Sequence, residues 1–286
     1  MSPHERLEVV ALLALLLVLA VAAPPGAALR LATVAATLAA VLALSRAGEE
    51  GGALGLVRDV SPVVVLLVVF AELQPAIEAV NPARYDALLA GLDARFLGGL
   101  VRAWRGALGR PAALTDAAYL VYASFYLLPI AVLAATRLRR GPAAFEQTAF
   151  VIGLGFYLSF VAYFLWPASG PRLPPAEEAA LGGSAVSEAV RAFLSATEAT
   201  TLDAFPSGHT GLSMLAAHLG ARRFPRAAIP LWSWSAAIVF TTVYIHVHYA
   251  VDLLGGVVLF AVTLLLAPAA GRLLGARAAP ARPAHG

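Results

Sequence analysis

The sequence predicts an all-α fold, a polytopic membrane helical bundle of about eight spans: a core of six with two more ahead of it. Of its 286 residues, 60% are hydrophobic and only 13% charged. Several apolar runs approach or exceed the length that crosses a hydrocarbon layer of about 30 Å. Arginine clusters flank these runs in alternate loops, at 46 and 58, 137–140, 222–226 and 272–282, the pattern of the positive-inside rule.

The runs lie at 7–23, 28–45, 59–77, 113–136, 145–166, 208–221, 227–245 and 249–268. The first follows a start carrying Arg6 and precedes a Pro-Pro-Gly turn, a pattern shared with cleavable leaders. The next run begins almost at once at Ala28, which fits a retained span better. With a cytoplasmic N-terminus, eight crossings put Arg46 and Arg58, then Arg137, Arg139 and Arg140, on the cytoplasmic side of a cell (inner) membrane. Arg222, Arg223 and Arg226 join them, as do Arg272, Arg277, Arg282 and both termini. The loops 168–206 and 246–248 then meet on the periplasmic or exterior side. In 83–108, Tyr85, Leu88, Leu89, Leu92, Phe96, Leu100, Trp104 and Leu108 recur at steps of three and four, with Arg95, Arg102 and Arg105 mostly opposite. That spacing predicts an amphipathic helix lying in the interface. The chain thus divides into two N-terminal spans (1–50), a membrane core (51–270) and a disordered cytoplasmic tail rich in Ala, Arg and Pro (271–286). The connection 168–204 shows no evident element and has the length of a lid or binding loop. Most of its carboxylates, Glu177, Glu178, Glu188, Glu198 and Asp203, read as solvated.

The chain has no cysteine, which excludes a disulfide framework, a thiolate metal site and a Cys nucleophile. Every basic residue is arginine, and a net charge of +3 in this Ala-, Gly-, Arg- and Pro-rich composition points to no nucleic-acid partner.

Three separated stretches hold the residues that could do chemistry. "WPASGPRLPP" (166–175) places Arg172 in a stiffened segment just past a span, where it can snorkel to headgroups or offer a guanidinium fork to a phosphate. "FPSGHTGLSM" (205–214) opens a helix with Ser207 as N-cap and Gly208 beneath a ligand, so that free N–H groups and the positive dipole end face an anion. His209 falls in its first turn. "YIHVHYAVDLLGG" (244–256) sets His248 and Asp252 four apart, one helical turn on one face, where the carboxylate can hold one imidazole nitrogen and aim the other at a substrate. His246 and His218 point elsewhere and read as packing or interfacial histidines. Two histidines, a carboxylate, an arginine and a helix N-terminus suit phosphoryl transfer without metal or cofactor. No carboxylate cluster suggests a two-metal mechanism. A lipid or anion transporter, its pathway lined by these residues, is the competing class; the chain lacks the repeated halves many transporters carry.

The order Arg172, Pro206-Ser207-Gly208-His209, His248-x-x-x-Asp252 resembles the three motifs of the type-2 phosphatidic acid phosphatase superfamily, over roughly residues 80 to 265. These are integral membrane enzymes related to bacterial acid phosphatases and vanadium haloperoxidases. The resemblance implies that His248 is a nucleophile forming a phosphohistidine, Asp252 orients it, and His209 is the acid/base. Arg172, Ser207 and the Gly208 backbone would bind the phosphate of a lipid substrate. Two departures stand out: Leu165 where the family usually has lysine, and Thr241-Thr242 where it usually has Ser-Arg. These losses, with "YDALLAGLDARFLGG" and "HYAVDLLGG", look more like the inositol phosphorylceramide synthase branch, whose members pass a phosphoryl headgroup from a lipid to an alcohol or lipid acceptor. Sequence leaves the donor, the acceptor and the oligomeric state open.

Overall fold

The structure is a computed structural model that describes residues 1–46, 52–171 and 182–275. Among them the regular elements are all helical: α1 (Pro3–Ala22), α2 (Ala27–Arg46), α3 (Ala53–Ala71), α4 (Leu73–Val80), α5 (Asp86–Phe96), α6 (Gly98–Leu108), α7 (Ala112–Ala123), α8 (Leu127–Arg140), α9 (Pro142–Leu165), α10 (Ala185–Thr197), α11 (Gly208–Arg223), α12 (Ala228–Tyr244) and α13 (Ala250–Leu273). Local chemistry sets several of the ends. Ser2 and Glu5 cap α1 reciprocally, Pro142 opens α9 after Gly141, and Ser184 caps α10 through the Val186 N–H.

Six segments are long and apolar enough to cross a membrane: Ala27–Arg46, Leu54–Ala71, Ala112–Arg140, Pro142–Leu165, Pro225–Tyr244 and Ala250–Leu273. The other two expected spans fall short for different reasons. Helix α1 carries Glu5, Arg6 and Glu8 in its first turns, and α11 has only 16 residues. The run expected at 59–77 is also divided, because α3 stops at Ala71 and α4 starts at Leu73.

Long-range hydrogen bonds define two ends of the bundle. Arg6 Nη1 donates to the Leu274 carbonyl at 2.8 Å, so the start of α1 meets the end of α13. Arg140 donates to the Arg223 carbonyl at 2.6 Å and Arg223 to Gln147 Oε1 at 3.0 Å, adding α8, α9 and α11 to this arginine-rich end. Central α11 packs against α8, α9, α12 and α13 through Leu212, Leu215 and Ala216, all buried. The N-terminal helices are part of the same body: Leu12, Leu19 and Val34 share a core with Val65, Phe160 and Tyr163. Helix α13 runs through Leu273, past the start of the expected tail at 271, and residues 276–286 lie outside the described set.

The amphipathic stretch forms two helices, divided at Leu97. Leu88, Phe96 and Leu100 remain exposed on them. The connection 168–204, expected without an element, contains α10, tied to α7 by Asp116, which accepts the Ser184 and Ser187 N–H groups at 2.9 and 3.2 Å.

Candidate active site

The three motif-bearing stretches converge at the end of the bundle opposite Arg140 and Arg223. The Ala204 N–H donates to the Ala168 carbonyl at 2.9 Å beside an isolated parallel bridge between Ala168 and Asp203, which joins the first stretch to the second. Ser207 N–H donates to the Asp252 carbonyl at 3.0 Å, which joins the second to the third. Gly170 closes the circuit: it has φ +79°, and a Cβ there would lie 2.5 Å from the Val247 carbonyl oxygen, so only glycine fits both the conformation and the approach. Arg172 itself lies outside the described residues.

Ser207 caps α11 as expected. Its Oγ accepts from the Thr210 N–H at 3.2 Å and from Thr210 Oγ1 at 3.1 Å, and the residue is fully buried. The N–H groups of Gly208 and His209 find no hydrogen-bond partner among the described residues. Gly208 also admits the Tyr163 hydroxyl, which would stand 2.6 Å from a Cβ.

His209 lies in the first turn, its ring stacked on Tyr122 with centroids 4.5 Å apart and 4.4 Å from the centroid of Phe125. Its Nδ1 is 3.3 Å from His248 Nε2. His248 Nδ1 is 3.3 Å from Asp252 Oδ2, so two imidazoles and a carboxylate form one line. The expected shared helical face for His248 and Asp252 is not how this is achieved. Helix α13 begins at Ala250, and His248 sits in the turn before it. Asp252 reaches back from the first turn, and its Oδ2 also accepts the Tyr249 N–H at 2.9 Å. Thr242 fixes the other side of this turn, its carbonyl accepting from the Val247 and His248 N–H groups at 3.0 and 3.3 Å. The Thr242 side chain turns onto its own helix, donating to Val239 O, and Leu165 is exposed. Neither position gives the site a cation.

His246 and His218 stay apart from the line, as expected. His246 adopts φ +62° with a buried, unpartnered Nδ1, and burial, then Arg105 and Arg110, lower its pKa to about 4. His218 lies edge-on to Phe260. Arg191 stacks over the Tyr119 ring at 5.4 Å. Asp203 lines an apolar cavity that reaches His209, whereas its loop's carboxylates were expected mostly in solvent.

Two groups that sequence reasoning passed over hold the site in place. Asp86 Oδ1 accepts the Ser169 and Gly170 N–H groups at 2.8 and 3.0 Å, and Asp93 Oδ1 accepts the Val251 N–H at 3.2 Å. One short helix, α5, thus fastens both the stretch leading to Arg172 and the start of α13. The available signal was their seven-residue spacing, which puts both carboxylates on one face. The Tyr122 and Phe125 partners of His209 had no comparable signal, since aromatics near a span are ordinary core.

No curated protein and no solved structure matches the chain. The family model described as PAP2 superfamily matches residues 87–266, more than half of the chain and all three converging stretches, so the protein belongs to that superfamily of phosphoesterases and phosphotransferases.

Proposed function

We propose that the protein is an integral membrane lipid phosphatase or phosphotransferase that works through a phosphohistidine. The observation that carries this reading is the line His209, His248, Asp252 at the N-terminus of α11. Asp252 holds a proton on His248 Nδ1, which leaves the Nε2 lone pair to attack phosphorus. Substrate entry breaks the His209–His248 contact and puts the phosphoryl group between the rings. His209 then protonates the departing oxygen and afterwards takes a proton from water or an alcohol that attacks the phosphohistidine. The Gly208 and His209 N–H groups, the Ser207 hydroxyl and Arg172 stabilise the equatorial oxygens. No step needs a metal, and EDTA is expected to leave turnover intact. The site faces the periplasm or exterior, because Arg137, Arg140 and Arg223 gather at the opposite end.

One observation favours transfer over hydrolysis. With Leu165 exposed and the Thr242 hydroxyl turned away, the pocket lacks two cations, which suits a phosphodiester donor better than a dianionic monoester. An inositol phosphorylceramide synthase-like reaction with a lipid or polyol acceptor is the second reading.

The test presents purified protein with phosphatidic acid, isoprenyl diphosphate and phosphatidylinositol, with and without ceramide or free polyol, alongside His248→Ala. His248-dependent release of phosphate alone supports a phosphatase, and a new phosphodiester that requires acceptor supports a transferase. Full activity in His248→Ala would remove the proposed nucleophile, and no turnover on any of these substrates would return weight to transport.

A further inference from the structure

A cavity of about 270 Å³ runs from His209 into the bundle between α3, α8, α9 and α11. Its polar lining, Ser159, Tyr163, Asp203 and His209, belongs to the site end; farther along the helices it is lined by Val63, Leu133 and Ile152. That is the profile of an amphiphile, polar at the reacting end and apolar along its length. The volume sits just below the roughly 300–1,000 Å³ of pockets for drug-sized ligands, enough for one hydrocarbon chain.

The cavity also opens sideways. Leu67, Tyr126 and Ile130 line it while exposed by 58%, 45% and 42%, which leaves a slit between α3 and α8. At the arginine end Arg137 Nε donates to Asp59 Oδ2 at 2.6 Å across these two helices, where a second cavity shares Val63, Ile130 and Leu133 with the first. Helix α3 supplies Val63, Leu66, Leu67 and Phe70 to one wall, yet it ends at Ala71, before the family-matched residues 87–266.

We propose that this slot seats a hydrocarbon tail of the substrate, entering sideways between α3 and α8, and that α3 sets the tail length the protein accepts. The inference rests on the lipid-phosphate reading of the site and adds a task for a helix outside the shared family segment. Leu66 and Phe70 contact the chain near the reacting end, and Val63 meets it deeper in.

The experiment measures kcat/KM of the full-length protein in detergent on n-alkyl phosphates from butyl to hexadecyl. For the short chains that stay monomeric in water, each methylene seated in the slot is expected to raise kcat/KM about fourfold until the slot is full, after which the curve flattens. Leu67→Trp narrows the entrance, so the hexadecyl-to-butyl ratio of kcat/KM falls at least about tenfold and the plateau moves to shorter chains. A ratio that Leu67→Trp leaves as in the wild type overturns the proposal. A second measurement needs no turnover: hexadecyl phosphate carrying a mid-chain diazirine is photolysed on His248→Ala protein and the cross-links are mapped. Cross-links on α3 with a wild type that turns over nothing would retain the slot and retire the phosphatase reading. Turnover with cross-links confined to other helices would retire the slot and retain the enzyme.

Discussion

Asp93 and His246 show what single residues outside the line contribute, one to its geometry and the other to stability. Asp93 accepts the Val251 N–H at 3.2 Å, one residue before Asp252, so it positions the first turn from which Asp252 reaches His248. Asp93→Ala should lower kcat about tenfold, the worth of one hydrogen bond to a charged group, with little change in KM. Asp93→Asn keeps an acceptor oxygen and should recover most of the rate; equal losses in both variants would deny Asp93 a positioning role. His246 gives a pH dependence. Its folded pKa of about 4 lies below the ordinary value of 6.5, so between these values the unfolded chain binds more protons and the fold loses stability as pH falls. Asn tolerates the positive φ, and His246→Asn should therefore flatten the acid side of the Tm-versus-pH curve from pH 6.5 downward. An unchanged slope would place the acid sensitivity in other groups.

At the scale of elements, the site depends on how closely α13 approaches α11. A Cβ at Gly256 would stand 2.6 Å from both the Ser207 carbonyl oxygen and Thr210 Cβ, neither of which can swing away. Gly256→Ala should cost about 1–3 kcal/mol, seen as a lower Tm in detergent, and pull the Ser207 cap from Asp252, seen as lost turnover. Gly91 in α5 makes the contrast: nothing lies within 4 Å of its Cβ position, so Gly91→Ala should hold or raise Tm through helix propensity. The same scale shows why the 83–108 stretch was legible as amphipathic helix yet not as a brace. Periodicity reports which face is apolar, whereas the bonds from Asp86 and Asp93 depend on loops more than eighty residues away in sequence.

For the whole molecule, the separation of the arginine end from the site end becomes a statement about sidedness. The natural absence of cysteine allows a clean test, because a single introduced thiol is the only one present. Ala83 and Arg226 are both exposed, Ala83 beside the site and Arg226 in the turn after α11. On intact cells a membrane-impermeant maleimide should label Ala83→Cys and spare Arg226→Cys; the reverse pattern would invert the topology. The N-terminal helices belong to this scale too, since Leu12 and Leu19 of α1 share a core with Phe160 and Tyr163 of α9.

The sequence alone determined the helical membrane character and the family resemblance, and singled out His209, His248 and Asp252 as candidates, because hydropathy, capping and motif order are local properties. By length and charge, α11 and α1 miss what the other six expected spans meet, and the sequence placed His248 on a helix that starts two residues later. Only the tertiary structure decided how the site is assembled. The Gly170–Val247 approach, the Ser207–Asp252 bond, the braces from α5 and the cavity walled by α3 are all contacts between segments far apart in the chain. Such contacts leave no period and no motif in the sequence, since each residue's role is set by a neighbour that only packing supplies.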